Sequence, residues 1–127
     1  MSEKIDVFIV DDDTHKMQYF QSIVNQGEGM RCIGSTTSSQ NAVDVILTIE
    51  PDVVLVDYAL YPVSGFEIMA QLHEQLPDVP IVLLGGRASF AQHATEAGAA
   101  AYLPMPITPR DLLDTIQRVT TPPATHD

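Results

Sequence analysis

Five times along this chain a short apolar run is followed by a segment whose apolar residues recur every three or four positions, and few folds accommodate that alternation. The clearest run is residues 5–10, Ile-Asp-Val-Phe-Ile-Val, rich in β-branched side chains. Residues 53–56 and 81–84 are alike, each preceded by Pro-Asp or Val-Pro punctuation, and 30–34 and 101–103 are weaker strand candidates. Between the runs lie one-faced helical stripes. Met17, Phe20, Ile23 and Val24 share a face, as do Ala42, Val43, Ile46 and Leu47. Phe66, Met69, Leu72 and Leu76 form a third stripe, and Leu112, Leu113, Ile116 and Val119 a fourth. Near-continuous apolarity in the stronger runs predicts strands covered on both faces, as in parallel sheets. The expected fold class is α/β, a doubly wound five-stranded parallel sheet.

Helix punctuation agrees with this order. Ser64-Gly65-Phe66-Glu67 reads as a capping box, and Thr108-Pro109 as an N-cap followed by proline at the first helical position. Asp13 or Thr14 caps the first helix, and an Ala-rich helix over 88–97 closes at Gly98. Residues 121–127, with Pro122-Pro123, lack periodicity and are expected to be a flexible tail or truncated linker behind a domain spanning 1–120.

At 127 residues and 45% hydrophobic content, one domain burying roughly two-thirds of its unfolded surface is expected. No apolar run approaches the ~20 residues that cross a bilayer. Strand-like sequence begins at Ile5, which leaves no room for a signal peptide. A single cysteine, Cys32, makes no internal disulfide, so a reducing cytoplasm is the expected setting. The formal charge of −11, with six Lys and Arg in all, argues against direct nucleic-acid binding and against an anionic membrane surface.

Functional groups of open parallel sheets gather at the carboxyl ends of the strands. Two of those ends are acidic here: the first run stops at Asp11-Asp12-Asp13 and the third at Asp57. If the two strands are neighbours, Asp11, Asp12 and Asp57 converge. Carboxylates that close repel one another, which raises pKa values or recruits a cation. Oxygen-only ligands favour Mg²⁺. A carboxylate beside such a cation suits phosphoryl transfer, with Asp57, alone on its strand, as the nucleophile.

The runs Val7-Phe8-Ile9-Val10-Asp11-Asp12-Asp13 and Pro51-Asp52-Val53-Val54-Leu55-Val56-Asp57 resemble the hallmarks of bacterial response-regulator receiver domains. The resemblance extends through Gly65, Ala97-Gly98-Ala99 and Tyr102 to the last helix, over about residues 4–120. It implies a flavodoxin-like sheet of order 2-1-3-4-5 and a two-component signalling role without enzymatic turnover. It implies that Asp57 accepts a phosphoryl group from a sensor histidine kinase or phosphotransfer protein. Mg²⁺ would be held by Asp12 and Asp57 directly, Asp11 through water, and Ala59 through its backbone carbonyl. Family members often dimerise through the fourth helix, fifth strand and fifth helix, and often carry an output domain.

The chain departs from the family pattern in three places. Gly85 stands where receivers carry a Ser or Thr that binds the phosphoryl oxygen, and Met105, before Pro106, where they carry a Lys. Pro62 lies five residues past Asp57 rather than four. Hydrogen bonds to charged groups contribute about 1.5–3 kcal/mol each. A full population flip needs about 5.5 kcal/mol of differential affinity. Losing both contacts therefore predicts weakened switching. Gly85, Gly86 and Arg87 are candidate phosphate contacts, set against a plain flexible turn and a solvated arginine. Tyr102, Met105 and Pro106 mark the expected signalling face. Cys32 is expected in the core, and His15, His73 and His93 on helix surfaces. Two alternatives stay open: a phosphorylation-independent pseudo-receiver within a larger protein, and a haloacid-dehalogenase-like phosphohydrolase, whose Asp-x-Asp-x-Thr signature fails at His15.

Overall fold

The computed structural model describes residues 4–121. Strands β1 (Ile5–Val10), β2 (Met30–Thr36), β3 (Val53–Asp57), β4 (Ile81–Gly85) and β5 (Ala101–Pro104) form one parallel sheet of order β2-β1-β3-β4-β5. Helices α1 (Thr14–Gln26), α2 (Ala42–Ile49), α3 (Gly65–Gln75), α4 (Ala91–Glu96) and α5 (Pro109–Thr120) alternate with them. The expected doubly wound, flavodoxin-like receiver architecture is the observed one. Among the described residues no helix is long and apolar enough to cross a membrane. Beyond Thr121 the expected tail lies outside the described residues.

Strand side chains alternate between faces, and each face has its own cover. Phe8, Val10, Val54, Val56, Ile81 and Leu83 pack under α2, α3 and α4 through Ile46, Ile68, Met69, Leu72 and Ala94. Val7, Ile9, Val53, Leu55, Val82 and Leu84 pack under α1 and α5 through Phe20, Val24, Leu112 and Ile116. Val7 through Val10 are fully buried, and burying each such side chain contributes roughly 1.5–3 kcal/mol. That is why the stronger runs have no polar alternation after Asp6. The β1–β3 register pairs Val10 with Val56, so both strands end at one level.

Capping sets the helix starts. Asp13, rather than Thr14, caps α1, its side chain accepting from the His15 and Lys16 N–H groups. Ser64 Oγ accepts from Glu67 N–H at 3.1 Å, and Thr108 Oγ1 from Asp111 N–H at 3.0 Å with Pro109 behind it. The single helix expected over 88–97 is corrected: a 3₁₀ turn, Ala88–Phe90, precedes a short α4, and Ala97 ends the helix before Gly98 at φ +109°. The reason lies at the Arg87 carbonyl, which accepts from Phe90 N–H three residues on and from the Tyr102 hydroxyl. His73 is half-buried instead of surface-exposed, its ring lying where a side chain on Gly98 would stand.

Candidate functional site

The end of β1 and the end of β3 deliver three carboxylates to one crevice. One oxygen from each of Asp11, Asp12 and Asp57 lies within 4.8 Å of the others. Asp11 is fully buried, Asp57 nearly so, and Asp12 exposed. Backbone amides fix two of them: Asp11 Oδ1 accepts from Asp13 N–H at 2.9 Å, and Asp57 Oδ1 from Ala59 N–H at 3.0 Å. The second bond curls the chain after β3 so that Ala59 sits beside the carboxylate it follows. Gly65 allows α3 to start against the same strand end. A Cβ there would come within 2.5 Å of the Asp57 carbonyl oxygen.

The other oxygen of Asp11, Oδ2, is buried without a hydrogen bond. Burial, outweighing the Asp13 amide and the nearby Lys16 charge and added to by Asp57, pushes the Asp11 carboxyl up to about 6. A buried acceptor that makes no hydrogen bond, among hard oxygen ligands that include an exposed carboxylate, fits a small divalent cation. Asp11, Asp12 and Asp57 each offer an oxygen that could hold Mg²⁺.

One residue of this pocket was missed from the sequence. Lys16 Nζ lies 2.9 Å from Asp57 Oδ2, to which it donates, and 3.4 Å from Asp11 Oδ2. Burial lowers its affinity for a proton. The hydrogen bond and charge of Asp57, then the charge of Asp11, outweigh that, and the net direction is up. The signal was present: Lys16 stands four, seven and eight residues before Phe20, Ile23 and Val24, on the buried stripe of α1. A cation in a helix's first turn also opposes the macrodipole, so it needs nearby acid.

The β4–β5 end is built differently. Gly85 is buried, and a Cβ on it would collide with the Tyr102 hydroxyl and lie 2.9 Å from Cζ. The Tyr102 ring therefore fills the space beside Gly85, and its hydroxyl donates to the Arg87 carbonyl at 2.7 Å. Gly86 and Arg87 are exposed, and among the described residues the Arg87 side chain makes no ion pair. Met105 is partly buried against the cluster under α1 and α5, while Pro106 is exposed. Tyr58 packs between Phe66 and Phe90, with ring centroids 4.9 and 4.7 Å away, and Tyr61 is 83% exposed. Cys32 is half-buried, its Sγ 3.3 Å from the Gly34 carbonyl.

Residues 7–117 match the family described as response regulator receiver domain. The chain is 26% identical over 119 residues to the positive alginate biosynthesis regulatory protein of Pseudomonas aeruginosa, covering 93% of this chain and 48% of that protein. It is 28% identical over 99 residues to the transcriptional regulatory protein DesR of Bacillus subtilis, covering 78% and 50%. It thus spans half or less of the length of these relatives. A two-component response regulator of the LuxR family from Aurantimonas has the same fold at TM-score 0.86 and 20% identity, over 93% of this chain and 86% of that one. A receiver domain protein from Clostridium thermocellum gives 0.84 at 22% identity, over 91% and 94%. With the acid-ended β1 and β3 side by side in such a sheet and the family matched over nearly its whole length, this chain belongs to the response regulator receiver domains.

Proposed function

We propose that this receiver accepts a phosphoryl group on Asp57 from a phosphohistidine of a sensor histidine kinase or phosphotransfer protein. The observation that carries the reading is the convergence of Asp11, Asp12 and Asp57 around a buried carboxylate oxygen that makes no hydrogen bond and faces the Lys16 ammonium at 3.4 Å. Asp57 Oδ1 is oriented by the Ala59 amide, which leaves Oδ2 facing Lys16 and the pocket. Mg²⁺, when bound by Asp11, Asp12, Asp57 and the Ala59 carbonyl, neutralises charge on the transferring group. Family membership favours a signalling domain over the phosphohydrolase alternative. Its output passes to a further domain of the full-length protein or to a separate partner, in the cytoplasm, with homodimerisation through α4, β5 and α5 as one route.

Response to that modification is weak in this reading. Gly85 supplies no hydroxyl and Met105 no charge, and Arg87 is an exposed cation two residues past the β4 end. Incubation with a small phosphodonor and Mg²⁺, followed by intact-mass measurement, tests the acceptor role. One phosphoryl group is expected on the wild type and none on Asp57→Asn. Equal incorporation in both contradicts it.

A second reading, an interaction module indifferent to phosphate, is favoured by the packing of Tyr102 against Gly85. Complete absence of phosphoryl incorporation, with partner binding intact, would move the assignment to it.

A further inference from the structure

Lys16 lies between the carboxylates assigned above to a divalent cation. Its ammonium is 2.9 Å from Asp57 Oδ2 and 3.4 Å from Asp11 Oδ2, and the three carboxylates present oxygens within 4.8 Å of one another. Magnesium bonds to oxygen at roughly 2.0–2.1 Å. A dication on the Asp11 and Asp57 oxygens would therefore stand within a few ångströms of a positive charge already seated on them. Two like charges that close, partly shielded from water, do not share ligands at low cost.

We propose that Lys16 is a tethered counter-ion that competes with the divalent cation for Asp11 and Asp57, so that loading the site requires the lysine to swing out. Three features make that exchange feasible. The Lys16 side chain is 30% exposed, so a path to solvent exists. It hangs on a flexible four-carbon stem, unlike the planar fork of an arginine. Its place in the first turn of α1 gives it no hold from the helix, whose N-terminal dipole repels cations. Without metal the lysine keeps Asp11 and Asp57 from facing each other as bare charges. With metal it is redundant. The consequence is a site whose threshold for magnesium is set from within the chain.

This inference rests on the acidic pocket being the cation site, and the experiment separates the two. Magnesium affinity is measured by titration calorimetry at fixed ionic strength on the wild type, Lys16→Met, Lys16→Arg and Asp57→Asn. The expected result is about tenfold tighter binding for Lys16→Met, the size of one charge-assisted contact in a partly exposed site, with Lys16→Arg no tighter than the wild type. Equal affinity in wild type and Lys16→Met, or weaker binding in Lys16→Met, overturns the competition and leaves the metal site standing. No binding by any variant overturns the metal site and the competition together.

A second readout needs no variant. The sequence has two lysines, Lys16 and the exposed Lys4. Under limiting amine-labelling reagent, magnesium is expected to raise Lys16 modification severalfold relative to Lys4, read by peptide mass spectrometry. An unchanged ratio at saturating magnesium contradicts displacement.

Discussion

The carboxyl edge of this sheet has two halves that share a fold and differ in chemistry. Where β1 and β3 stop, charge is concentrated: three aspartates and a lysine, two of the acids buried, each oriented by a backbone amide or a counter-ion. Where β4 and β5 stop, the side chains that a receiver uses to grip a phosphoryl group are a glycine and a methionine, and a tyrosine ring packs into the space the glycine leaves. The first half is costly to maintain, since a buried carboxylate lacking a full set of donors destabilises the fold. The second half is cheap and close-packed. A chain that retains an expensive cluster while closing the neighbouring groove is consistent with one that still takes up cation and phosphoryl group but transmits little of the event.

The largest expected effect lies in the acidic half. The Asp11 pKa is raised, so the native state holds the proton more tightly than the unfolded chain, and the ionised form destabilises the fold. That penalty is absent below about 3.8, grows as pH rises, and is fully present above about 6. Shifting a carboxyl by that much corresponds to about 3 kcal/mol. Asp11→Asn in metal-free buffer is therefore expected to stabilise the protein by up to about 3 kcal/mol at pH 7 and by almost nothing near pH 4, read from urea midpoints across that range. A gain independent of pH would break the contrast, because it would assign the benefit to shape and not charge.

A smaller effect tests the other half. Gly85 lies outside the left-handed backbone region, so alanine is allowed there by conformation, and the three nearest atoms its Cβ would meet all belong to Tyr102. Overpacking of this kind costs about 1–3 kcal/mol. Gly85→Ala is expected to lose that much and, in a Tyr102→Ala background, to lose far less. Tyr102→Phe, which removes the hydroxyl's bond to the Arg87 carbonyl, is expected to cost about 1 kcal/mol. Additive losses in the double mutant would mean that the tyrosine does not fill the glycine's space.

What was legible in sequence was whatever local chemistry and period determine. Strand runs 5–10, 53–56 and 81–84 were found because both faces of the sheet are covered, and the structure extends the latter two by one residue each, to Asp57 and Gly85. The strand order made Asp11 and Asp57 neighbours, as their positions after apolar runs suggested. Lys16 was not singled out, although its spacing from Phe20, Ile23 and Val24 put it on the buried stripe. The Tyr102–Gly85 packing was not legible, since it joins residues 17 apart through the pairing of β4 with β5. The 3₁₀ turn at Ala88–Phe90 follows from that same contact, through the Arg87 carbonyl that Tyr102 engages.

The difference between the two halves is tested most directly by two-dimensional amide NMR before and after treatment with phosphodonor and Mg²⁺. Large shifts are expected at Asp11–Asp13 and Asp57–Ala59, with residues from Gly85 to Met105 nearly unmoved. Shifts that spread through Tyr102 and α4 as strongly as through the acidic cluster would contradict the account, because they would show a working switch where the side chains for one are missing.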